Sequence, residues 1–104
     1  MTIQFNTDHN IEGNERLEAF LDEKVTTALN RFSEQITRVE IHLSDDNAGK
    51  ADLKTIKCLL EARLEGLDPI VVTEHETTIE KSVNGAIDKL KAVLTTTLGR
   101  LANH

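Results

Sequence analysis

Residues 77–101 read Thr77-Thr78-Ile79-Glu80-Lys81-Ser82-Val83-Asn84-Gly85-Ala86-Ile87-Asp88-Lys89-Leu90-Lys91-Ala92-Val93-Leu94-Thr95-Thr96-Thr97-Leu98-Gly99-Arg100-Leu101. Ile79, Val83, Ile87, Leu90, Leu94 and Leu101 recur at helical spacing and form one apolar stripe. Thr77 followed by Glu80 matches a capping box, in which each side chain satisfies a free N–H at the helix start. The stripe is near-heptad, which would also suit a coiled coil. The strands that precede it supply a sheet to cover, so docking on that sheet is the expected arrangement.

Working backwards, Ile56, Cys58, Leu60, Ala62 and Leu64 alternate with Lys57, Glu61, Arg63 and Glu65, the pattern of a half-buried strand. Val39, Ile41 and Leu43 alternate in the same way with Glu40, His42 and Ser44. Thr2 to Asn6 forms a short strand with Ile3 and Phe5 inward, and Ile70 to Thr73 a fourth, entered through Pro69. Leu17, Phe20, Leu21, Val25, Ala28, Leu29 and Phe32 mark an amphipathic helix that Asn14 is placed to cap. The order β-α-β-β-β-α predicts an α+β fold. It is a two-layer sandwich, a four-stranded sheet with two helices on one face and the opposite face wet. The helix after the first strand makes a crossover to a parallel neighbour, and the remaining strands form an antiparallel meander. The 104 residues are expected to make a single domain, 1–104.

Composition narrows the function. Cys58 is the only cysteine and falls on an inward register, so neither a disulfide framework nor a reactive thiol is expected. No catalytic residue, metal ligand set or cofactor motif emerges. The histidines lack ligand spacing, Asp45-Asp46-Asn47 lacks the full calcium-loop pattern, and the five glycines stand singly. Binding rather than catalysis is the expectation, with no small-molecule substrate. The apolar runs are too short to span a bilayer and no secretory start is seen, which points to a cytoplasmic location and no membrane partner. With Phe5, Phe20 and Phe32 as the only aromatics, base-stacking platforms are not expected.

The net charge of −6 is unevenly spread. Residues 1–52 hold 11 acids and 5 bases, whereas residues 81–104 hold Lys81, Lys89, Lys91 and Arg100 against Asp88 alone. These four cations are the candidate RNA-binding residues, because lysines and arginines grip phosphates as point charges or forks. The ordinary alternative is a solubilising helix face.

The segment Gly85-Ala86-Ile87-Asp88-Lys89-Leu90, with Leu94 and Arg100 beyond it, resembles the final helix of the ribosome hibernation promoting factor family. That family includes the ribosome-associated translation inhibitors and was once labelled sigma-factor modulation protein. Leu29-Asn30-Arg31-Phe32 and Val39-Glu40-Ile41-His42-Leu43 agree with it. The resemblance implies a fold similar to double-stranded RNA-binding domains. It also implies a translation regulator of the stress response that binds the small ribosomal subunit and blocks the messenger and transfer RNA channel sterically. Lys89 matches a family motif residue, and Arg100 falls in the basic tail region. Where members have Asp-x-Tyr before the helix and a lysine-rich end, this chain has Thr77-Thr78-Ile79 and Thr95-Thr96-Thr97, a divergent short form. The second reading is a protein-interaction domain of the same fold that has lost ribosome binding. An open sheet edge and the outward Leu59 leave a homodimer available.

Overall fold

The computed structural model describes residues 1–46 and 53–102. Six elements follow the expected order: β1 (Thr2–Thr7), α1 (Glu15–Leu29), β2 (Ile36–Asp45), β3 (Ile56–Leu64), β4 (Ile70–Glu76) and α2 (Ile79–Ala102). A short 3-10 turn, Asn30–Phe32, closes α1. The sheet order is β1-β2-β3-β4, with β1 parallel to β2 and the other pairs antiparallel. Phe5 lies opposite Ile41, Leu43 opposite Cys58, and Leu60 opposite Val72, so the inward registers of all four strands coincide.

That coincidence places one core between the layers. Val39, Ile41, Cys58, Leu60 and Ala62 from the sheet meet Leu21, Val25 and Leu29 from α1 and Val83, Leu90 and Leu94 from α2, all fully buried. The helix α2 lies on β3 and β4, and α1 reaches β1 and α2. Asn14 caps α1 as expected, its side-chain oxygen accepting from the Leu17 N–H at 2.8 Å. Among the described residues no helix is long and apolar enough to cross a membrane.

Three local expectations are corrected. The cap of α2 is Thr78 rather than Thr77: its hydroxyl accepts from the Lys81 N–H at 3.1 Å, so the three-residue spacing ends on Lys81 and not on Glu80. The fourth strand runs to Glu76, three residues beyond Thr73. Glu74 and Glu76 continue the inward alternation of Ile70 and Val72, but as carboxylates they hide the apolar period. Phe20, placed by periodicity in the buried stripe, is 47% exposed. The tip between β2 and β3 falls partly outside the described residues, and Asn47 of the Asp45-Asp46-Asn47 run with it. Asp45 itself belongs to β2 and accepts the Thr55 hydroxyl at 2.7 Å.

The uncovered sheet face is charged but internally matched. Glu40, at its centre, takes Arg38 at 2.8 Å, His42 at 3.3 Å and Arg63 at 3.6 Å, and Arg63 also meets Glu61 at 3.2 Å. Burial would raise the Glu40 carboxyl, but the His42 hydrogen bond, the charge of Arg38, the hydrogen bond with Glu61 and the charge of Arg63 outweigh it. The carboxyl is held below its ordinary value of 4.5. A depressed carboxylate stabilises the fold above its unfolded pKa, and that contribution is lost as pH falls through the folded value. Urea denaturation from pH 6 down to the acid limit should therefore show a stability loss that Glu40→Gln flattens. Burial pushes the Cys58 thiol up to about 12, so its reaction with a thiol reagent at pH 8 should track unfolding rather than proceed from the native state.

Candidate nucleic-acid interface

The geometry of α2 decides which of its cations are available. At about 100° per residue, Lys89 and Lys91 project roughly 200° apart, one toward β4 and the other toward α1. Lys89 is 52% exposed in its side chain but engaged: its Nζ donates to the Thr73 carbonyl at 2.8 Å and lies 3.5 Å from Glu74 Oε1. Glu74 reaches this position because Gly85 leaves space. A Cβ on residue 85 would stand 2.5 Å from Glu74 Oε2 and 2.6 Å from its Cγ. Gly85, Glu74, Lys89 and Thr73 thus form a polar latch that fastens α2 to the edge strand β4.

Lys81 and Arg100 are exposed at opposite ends of α2, and Lys91 is half-buried between the helices. Among the described residues none of these three has an ion pair. Over the 19 residues from Lys81 to Arg100 the helix rises about 28 Å, so the four predicted cations do not converge on one point. Nor do they share one face: Lys91 and Arg100, nine residues apart, project about 180° from each other, and Lys89 is held aside by its latch.

Two basic residues that sequence reasoning left out come from the first half. Arg31, at the end of α1, donates to Thr95 Oγ1 at 2.8 Å while its guanidinium lies 4.5 Å from the centre of the Phe32 ring. Thr95 therefore serves as the acceptor that ties α2 to the turn after α1, and in turn donates to the Lys91 carbonyl at 2.8 Å. Lys24 lies over Phe20, its ammonium 5.7 Å from the ring centre. Both were hidden by the acidic total of the first half, although Leu29-Asn30-Arg31-Phe32 already set a cation beside an aromatic. An open groove of about 700 Å³ separates the two helices, with Lys24 on one wall and Lys91 on the other. Among the described residues no cluster of three or more histidine, cysteine or acidic side chains could hold a metal ion.

A four-stranded sheet with both helices on one side, in the order β-α-β-β-β-α, defines a class of small two-layer α+β domains. The profile of the family described as sigma 54 modulation protein / S30EA ribosomal protein matches residues 5–102, and the chain belongs to that family. No curated protein sequence matches it. Two solved structures share the fold. The N-terminal domain of Thermus thermophilus Protein Y has 21% identity and a TM-score of 0.72, covering 93% of this chain and 99% of the other. A ribosomal subunit interface protein from Coxiella burnetii has 18% identity and a TM-score of 0.75, covering 95% and 99%.

The latch predicts a sign change. Alone, Gly85→Ala should destabilise by about 1 kcal/mol, overpacking of 1–3 kcal/mol being offset by roughly 1 kcal/mol of helix propensity. In a Glu74→Ala background the same substitution should stabilise, because the space is vacant. Urea denaturation of the four proteins of the cycle measures both effects.

Proposed function

We propose that this protein is a ribosome-associated regulator of translation, binding the small subunit and obstructing the channel for messenger and transfer RNA. The family match across residues 5–102 carries this reading, since it is a family of ribosomal factors rather than of enzymes. The cations of α2 that have no ion pair among the described residues support it. Lys81, Lys91 and Arg100 supply the phosphate contacts, while Lys89 contributes less because Glu74 already neutralises part of its charge. The mechanism is steric: occupancy of an RNA-lined passage needs no chemistry. Cytoplasmic residence follows from the ribosomal partner.

The acidic surface sets the strength of such binding. With a net charge of −6 the long-range field repels RNA, so affinity depends on short-range contacts between cations and phosphates, which weaken as salt rises. A second reading, a protein-interaction domain for a basic partner, is favoured by the exposed Glu15, Glu18, Asp22 and Glu23 of α1.

Sedimentation through sucrose separates the two. At about 50 mM salt the protein should travel with small subunits and be released as salt rises, and Lys81→Glu/Lys91→Glu, with an unchanged thermal melt, should stay at the top of the gradient. A double variant that sediments like the parent would remove these lysines from the interface. A parent that never enters the subunit fraction would leave the protein-interaction reading.

A further inference from the structure

The exposed ring of Phe20 has no role in the fold just described. A phenylalanine on the apolar side of an amphipathic helix is ordinarily covered, and leaving about half its surface in water forgoes a substantial part of its hydrophobic stabilisation. The ring lies on the wall of the groove between α1 and α2, whose apolar floor is limited to Ala28 and Ile87. Around that floor stand hydrogen-bonding groups, Thr27 and Glu23 from α1 and Asn84 and Asp88 from α2. Lys24 lies over the ring and Lys91 faces it from the opposite helix.

We infer that this groove is a nucleotide subsite, in which one unstacked base of a single-stranded RNA lies against Phe20 while Lys24 and Lys91 meet its flanking phosphates. The volume, about 700 Å³, lies in the range of small-ligand sites, about 300–1,000 Å³. The scarcity of aromatics argues against a stacking platform, but the ring of Phe20 is 47% exposed; stacking on an aromatic face is open to every base, and a flipped base exposes its Watson–Crick edge to neighbouring side chains. The two carboxylates, which would repel a phosphate, suit the exocyclic amino group of cytosine or adenine, and Asn84 offers the paired donor and acceptor that adenine matches. A basic helical peptide is the competing occupant. It would need apolar anchors over two helical turns, and the apolar lining here is Phe20 on the wall with Ala28 and Ile87 on the floor.

This inference rests on the proposed RNA contact and adds to it the kind of nucleotide and its seat. It also means that the protein recognises RNA by a base as well as by phosphates, so binding should be less salt-sensitive than a purely electrostatic grip. Two phosphates on a single strand give a log–log salt slope of about −1.4.

The chain has no tryptophan or tyrosine, so Phe20→Trp introduces a single indole reporter. Its exposed position should leave the thermal melt unchanged. Hexamers of A, C, U and G, titrated to millimolar base concentration, should quench that fluorescence, most strongly for A and C. Phe20→Ala should weaken labelled-hexamer binding by about fivefold to 150-fold. Absence of quenching by every hexamer overturns the inference, as does quenching by a lysine-rich amphipathic peptide alone. Small subunits added to Phe20→Trp separate the two levels. Co-sedimentation without quenching rejects the subsite and keeps the ribosome reading, whereas no co-sedimentation rejects the ribosome reading itself.

Discussion

The seat of α2 on the sheet is the contact on which everything else depends. Val83, Leu90 and Leu94 are fully buried against β3 and β4, and each such side chain contributes about 1.5–3 kcal/mol on leaving water. For a domain of this size, net stability is only about 5–15 kcal/mol, so loss of that seat is loss of the fold. It also sets the orientation of every charged residue on α2, because a helix fixed on one side has its other directions decided by 3.6 residues per turn. The charged surface of α2 is in this sense a by-product of core packing.

The two faces of the molecule use charge differently. On the uncovered sheet face, Arg38 and Arg63 surround Glu40, and Arg63 also meets Glu61. Positive groups there are spent on neighbouring carboxylates. On the helical side, Lys81, Lys91 and Arg100 have no ion pair among the described residues. A protein that is acidic overall can therefore still offer unpaired cations on its helical side, there beside the exposed carboxylates of α1. The division works through local pairing rather than through net charge.

Much of this was legible in the sequence, and the reasons are specific. The strands announced themselves because Val39-Ile41-Leu43 and Ile56-Cys58-Leu60-Ala62-Leu64 keep a strict period of two with one polar face. The last helix did so because its stripe is long and uninterrupted. What stayed hidden depended on contacts between elements distant in sequence. Glu74 continues the inward register of β4 but reads as a surface residue until Gly85 is seen to make room for it. Phe20 obeys the helical period yet lies beyond the area that the sheet and α2 can cover, so periodicity alone assigned it to the core. Lys89, the residue that best matched a family motif, has its partners in β4, 15 and 16 positions earlier, which no reading of helix spacing reveals.

The attachment of Lys89 to Thr73 has a consequence for how genetic data on this protein would be interpreted. β4 is an outer strand, and an ammonium on one of its carbonyls occupies an acceptor that a foreign chain would otherwise use to extend the sheet. Replacing this lysine removes a positive charge, frees a strand border and loosens the last helix in a single step. An impaired allele at this codon would thus combine misassembly with weakened ligand affinity, and its phenotype would overstate the importance of the residue for recognition.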